Sequence, residues 1–209
     1  MQKLPKPKII ISSYDDSKNP YYGGGGAVAV HEIAKRLVSE YEITVLTGKY
    51  PNSKDENIDG VIYKRVGVSS GYAKLDQLFF HLVLLTRVRD ENFDIWIESY
   101  TPPFSTSFLP LFTKKPVIGL VHMLSAADME RKYKLPFHLI ENLGLRLYEN
   151  FIVQSEESKK KILQINLKSQ VYVIPPGVTL SEKKSRIKQH ILFIRYCFID
   201  YYVCIRNIC

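Results

Sequence analysis

Four consecutive glycines, Gly23–Gly26, carry the plainest chemical potential in this chain. Glycine has no Cβ, so such a run can turn tightly and bring backbone N–H groups against a ligand. A stretch with helical spacing begins directly after it, and a helix N-terminus offers unsatisfied N–H groups and the positive end of its dipole. Together these make a seat for an anion such as a diphosphate. From the glycines alone, that reading and a plain surface turn stand level. The dinucleotide fingerprint is excluded because its third glycine would fall at Val28, and no Lys-Ser/Thr pair follows to make a P-loop.

Two further positions sit where chemistry could be done. His122 closes the apolar run Pro116–Val121, and Glu98 closes Asp94–Ile97, with Tyr100 two residues on. Strand ends at the carboxyl edge of a parallel sheet are where α/β proteins bind ligands. Taken alone, a histidine there is more often structural. Glu98 could accept a hydrogen bond from a hydroxyl or serve as a base, and a loop or capping carboxylate is the plainer alternative. Tyr100, with Tyr21, Tyr22, Phe104 and Tyr133, offers a face for stacking on a ligand ring, although aromatic content alone is not diagnostic. His31, Glu32, His81 and His138 fall in helical patterns and are expected to be structural. No metal site is expected: Cys197, Cys204 and Cys209 crowd into the last thirteen residues without ligand spacing.

The elements that must position these residues alternate. Strands are expected at Lys8–Ser13, Ile43–Thr47, Val61–Val66, Asp94–Glu98, Pro116–Val121, Phe151–Gln154 and Val171–Ile174. Helices are expected at Ala27–Glu40, Leu75–Val88, Pro102–Phe112, Pro136–Tyr148 and Glu156–Gln164, the last with Ser155 as N-cap, acidic residues first and Lys159–Lys161 later. Such alternation calls for an α/β fold, a doubly wound parallel sheet covered on both faces.

The composition narrows the partners. The chain has 209 residues, 45% hydrophobic and 24% charged, which excludes wholesale disorder. Its net charge of +8 is unevenly placed. Residues 1–158 hold 19 basic and 19 acidic side chains, whereas residues 159–209 hold 10 basic residues against Glu182 and Asp200. A neutral main domain offers no electrostatic footprint for nucleic acid. No uninterrupted apolar stretch approaches a membrane span, and the apolar run near the N-terminus is too short for a signal peptide. A cytoplasmic location is expected.

The ordered set of segments resembles a known family. An early strand, a delayed glycine loop, a helix with His31-Glu32-Ile33-Ala34 and Leu37, then ITVLTG, look like the start of group-one (family four) retaining glycosyltransferases. FDIWIESYTPPFS and PVIGLVHM resemble their acceptor-side strands, and FIVQSEESKKKI with VYVIPPGV resembles the segment leading to their second domain. The resemblance implies the N-terminal, Rossmann-like half of a GT-B fold. It implies a nucleotide sugar as donor substrate, a glycan or glycolipid as acceptor, and no required metal. It places Gly23–Gly26 at the donor diphosphate and makes His122 the catalytic candidate beside the transferred sugar; Glu98 and Tyr100, read from their own places and side chains, are the candidate acceptor contacts. Relatives acting on lipid-linked acceptors suggest peripheral contact with the inner face of a membrane, for which the basic run Lys159–Lys161 is suited, a solvated face being the plainer use.

The expected domains are residues 1–178, the acceptor-side domain, and 179–209, a linker and aberrant tail. After Val178 the sequence departs from the family: Ile191–Ile194 looks like the next strand, but Arg195 stands where glycine is expected. The expectation is a truncated form, by a frameshift near residue 195, or a split enzyme partnered by a separately encoded donor domain. The alternatives are a non-catalytic acceptor- or partner-binding module and, further off, a nucleotide-sugar epimerase-like protein.

Overall fold

Burial on both faces explains the first strand and sets the layers. In β1 (Lys8–Ser12), Ile9 and Ile11 turn to one face of a sheet and Ile10 to the other, each at most 3% exposed. The computed structural model describes residues 5–100, 104–124 and 126–175. The expected boundary at 178, the tail 179–209, the Ile191–Ile194 strand and the three cysteines lie outside them.

Seven more strands join β1: β2 (Glu42–Gly48), β3 (Glu56–Ile58), β4 (Val61–Val66), β5 (Ile95–Ser99), β6 (Val117–Val121), β7 (Asn150–Val153) and β8 (Gln170–Val173). They form one sheet in the order β3-β4-β2-β1-β5-β6-β7-β8. Every pairing is parallel except β3 with β4. The order reverses at β1, which pairs with β2 on one side and β5 on the other. That reversal opens a crevice at the carboxyl edge of the sheet.

Five helices cover the sheet: α1 (Gly25–Leu37), α2 (Ala73–Asp90), α3 (Ala126–Tyr133), α4 (Phe137–Leu145) and α5 (Glu156–Ile165). On one face, α1 sets Val30, Ile33, Ala34 and Leu37 against Ile9, Ile11, Ile43 and Val45. On the other, α2, α4 and α5 set Phe80, Leu84, Leu145 and Ile162 against Ile10, Leu46, Trp96 and Phe151. Burying each such side chain contributes roughly 1.5–3 kcal/mol. The fold is thus the Rossmann-like parallel sheet that the alternation of elements predicts.

Three elements differ from expectation. The stretch 104–112 is not a helix: it holds a single 3-10 turn, Leu109–Leu111, preceded by left-handed backbone at Ser105 and Phe108. Residues 101–103 lie outside the described set. The hairpin strand β3 was not foreseen, because three residues, ENI, carry too little pattern. Nor was α3, whose sequence AADMERKY buries only Ala126.

The loop from β1 to α1 is held by a buried ion pair. Arg65 on β4 donates from Nε to Asp16 Oδ2 at 2.9 Å, both side chains being 1% exposed. Thr47 on β2 donates to the same oxygen at 2.9 Å, and the backbone N–H of Lys18 donates to Oδ1 at 2.8 Å. The other arms of Arg65 reach the Lys54 carbonyl at 2.8 Å and Glu56 at 2.7 Å, tying β3 into the same cluster. Asn19 then accepts from the N–H groups of Tyr21 and Tyr22, delivering the chain to the glycines. Removing one partner of a buried pair leaves an uncompensated charge. Arg65→Ala is therefore expected to destabilise the protein by about 3–5 kcal/mol, read as a lower urea midpoint.

Candidate functional site

Parallel register brings the end of β1, the start of α1 and the ends of β6 and β7 to one edge. α1 begins at Gly25 with Gly24 as N-cap, no side-chain hydrogen bond to the cap and no acidic residue in the first turn. A Cβ built on Gly24 or Gly25 would meet nothing within 4 Å, so these peptides face open space. Gly23 is constrained: its Cβ would lie 3.0 Å from the Asn19 carbonyl oxygen. A helix start with no side-chain cap and no acidic residue in its own first turn is a competent anion seat.

Gly26 joins that seat to side-chain chemistry. A Cβ there would lie 3.5 Å from Asp15 Oδ2 and 4.0 Å from His122 Nε2. The missing side chain thus leaves room between a carboxylate and an imidazole beside the helix N-terminus. Burial lowers the pKa of His122, so the ring is neutral at neutral pH, and burial raises that of Asp15. His122 Nε2 is buried without a hydrogen-bond partner among the described residues, whereas Nδ1 lies 2.6 Å from the Gln154 side-chain nitrogen. Sequence reasoning named His122 and Gly26 but missed Asp15 and Gln154. Of two adjacent aspartates it could not tell which turns inward to Arg65 and which toward the glycines.

At the loop between β1 and α1 a cavity of about 580 Å³ opens, lined by Tyr14, Tyr21, Tyr22, Lys49, Tyr50 and Asp76 among others. Gly48 makes its floor feasible, since a Cβ there would come within 2.5 Å of the Tyr14 ring. Tyr21 is 73% exposed and presents an open aromatic face. Another cavity, of about 380 Å³, lies around Lys115, Pro116 and Asn150, at the opposite edge where β6 and β7 begin. Among the described residues no cluster of three or more His, Cys, Asp or Glu side chains could hold a metal ion, and no helix is long and apolar enough to cross a membrane.

Glu98 and Tyr100 are brought to the same edge but turn inward, 1% and 3% exposed. This corrects the expectation that they touch an acceptor: neither presents a surface to one. Glu98 accepts from the Ser107 N–H at 2.5 Å, from Thr106 Oγ1 at 3.3 Å and from the Tyr148 hydroxyl. Burial raises its pKa, partly offset by these bonds from Tyr148, Ser107 and Thr106. The carboxylate clamps residues 105–108 to the end of β5, accounting for the left-handed backbone where a helix was expected. Tyr100 packs edge-on against Tyr148 and Phe151. Close by, His81 accepts from or donates to Ser107 Oγ at 2.7 Å, fully inside the core. His31 bonds the Tyr63 hydroxyl at 2.8 Å, His138 meets Glu130, and Glu32 pairs with Arg36, all without reaching the glycine loop. Ser155 caps α5 by accepting from Ser158 N–H at 3.2 Å, and Lys161 pairs with Glu157.

This buried polar wall yields two expectations. Glu98→Ala leaves the Ser107 and Tyr148 donors unanswered and is expected to cost about 3 kcal/mol or more, whereas Glu98→Gln keeps one acceptor for the Ser107 N–H and turns an amide donor to the Thr106 and Tyr148 hydroxyls, which can accept, and costs clearly less, as chemical denaturation will show. Burial lowers the His81 pKa from 6.5 to about 4, so the unfolded chain binds the extra proton first. Stability is therefore full above pH 6.5 and falls by about 3 kcal/mol as the pH drops to about 4, a slope that His81→Leu should flatten in pH-dependent unfolding.

Comparison with known proteins bears on the family and the fold. Residues 23–182 match Glycosyltransferase Family 4. A search of curated proteins found no match. Among solved structures, sucrose-phosphate synthase from Thermosynechococcus elongatus aligns with TM-score 0.58 at 15% identity, over 83% of this chain and 48% of that one. At that identity the likeness concerns the fold, and the chain spans about half the length of this solved relative. The family match begins at Gly23, takes in His122 and Gln154, and covers well over half of the sequence: the chain belongs to Glycosyltransferase Family 4.

Proposed function

We propose that this chain forms the acceptor-side domain of a retaining glycosyltransferase that moves a sugar from a nucleotide sugar to an acceptor hydroxyl. One observation carries the reading: the uncapped start of α1 opens onto the same space as His122 Nε2 and Asp15, with Gly26 leaving the gap. The donor diphosphate sits at Gly23–Gly26, where N–H groups and the helix dipole stabilise the charge that builds as the glycosidic bond breaks, with no required metal. His122 and Asp15 hold the transferred sugar. The acceptor, a glycan or glycolipid, enters the cavity lined by Tyr21, Tyr22, Lys49 and Tyr50. A lipid-linked acceptor brings the domain to a membrane surface. The nucleotide is held by a second domain, on the same polypeptide or on a separate chain, in keeping with a solved relative about twice as long.

The test is sugar transfer by the domain completed with its donor-binding partner. His122→Ala is expected to lower turnover by about a hundredfold or more. Gly26→Ala fits sterically, and alanine suits a helix better by up to ~1 kcal/mol. It should therefore keep or raise Tm while weakening donor binding. Wild-type turnover in His122→Ala would overturn the reading, and acceptor binding without transfer would favour a non-catalytic module instead.

A further inference from the structure

The register of β6 and β7 does more than deliver two residues to one edge. Val121 pairs with Val153, so the next residues, His122 and Gln154, leave neighbouring strands side by side. The Gln154 side-chain nitrogen lies 2.6 Å from His122 Nδ1. An amide nitrogen only donates, so with the Gln154 amide in this orientation Nδ1 accepts, and in a neutral imidazole the proton then resides on Nε2. That Nε2 is buried, has no partner among the described residues, and lies 4.0 Å from the Cβ position of Gly26. A buried N–H of this kind is set for an oxygen that arrives with the ligand.

We propose that Gln154 is a positioning residue that locks His122 as the Nε2–H tautomer, so that His122 meets its ligand as a hydrogen-bond donor rather than as a base. Asp15, on the other side of the Gly26 gap, selects which oxygen is received. A sugar hydroxyl can accept from Nε2–H and donate to the carboxylate at once, whereas a phosphate oxygen can only accept and is repelled by it. The identity of the ligand rests on the glycosyltransferase reading, but the tautomer does not.

The experiment is long-range proton–nitrogen NMR on the 209-residue chain labelled with ¹⁵N-histidine, assigned by the loss of one ring system in His122→Gln. The expected spectrum shows His122 protonated at Nε2 only. Gln154→Glu, whose carboxylate accepts, should move the proton to Nδ1 or protonate both nitrogens, and Gln154→Leu should give a mixture of tautomers. A wild-type Nδ1–H tautomer, or a His122 pattern unchanged in Gln154→Glu, would overturn the proposal. Adding UDP-glucose to the chain completed with its donor-binding partner should shift Nε2 and its proton. If Nε2–H is present and depends on Gln154 but UDP-glucose shifts nothing, the positioning role stands and the donor-sugar reading falls.

Discussion

The ion pair between Asp16 and Arg65 is the constraint on which the glycine loop depends. A loop that must present bare peptide N–H groups cannot be held by side chains at its tip, because the tip is glycine. Its order has to come from its base. Asp16 provides it by gathering a guanidinium from β4, a hydroxyl from β2 and the N–H of Lys18 onto one buried carboxylate. The same guanidinium holds Glu56 and the Lys54 carbonyl, so the strand-edge hairpin and the loop are one polar unit. Both charges are withdrawn from water, and the arrangement is tolerable only because every arm finds a partner.

A second polar unit does the corresponding work on the other side of the crevice. Glu98, Thr106, Ser107 and Tyr148 replace the regular backbone pairing that residues 104–108 lack. Gly144 lets α4 approach this unit closely, since a Cβ there would lie 2.3 Å from Thr106 Cγ2. The cluster of Asp15, Gly26, His122 and Gln154 therefore stands beside two buried polar supports.

What was legible in the sequence follows from how local the cause was. The parallel strands and the amphipathic helices announce themselves, because burial on one or two faces writes a period into the residues. That His122 and the glycines come together at one edge was legible, since the ends of parallel strands and the starts of the helices that follow them lie at the same edge of the sheet. The turn at 104–112 was not legible: two prolines and an apolar run suggest a helix, whereas side-chain bonds to Glu98 from Thr106 and Ser107, to Glu141 from Ser105 and to Thr106 from the Phe108 N–H hold a backbone that is left-handed at Ser105 and Phe108. Glu98 itself looked like a candidate contact because sequence shows that a strand ends there but not which way its last side chains point. Gln154 was silent for a related reason. Its significance lies in a neighbour 32 positions away, set by inter-strand register rather than by spacing along the chain.

The antiparallel β3 has a consequence of another kind. A parallel sheet ending in β4 would expose a six-residue row of unpaired peptide groups, an invitation to strands from other molecules. β3 caps that row with three residues, and it is anchored through Glu56, so the outermost strand is short and carries charge. Loosening the Arg65 cluster would uncover the longer edge. The first failure of this protein under stress would then be self-association through β4, before its core has melted.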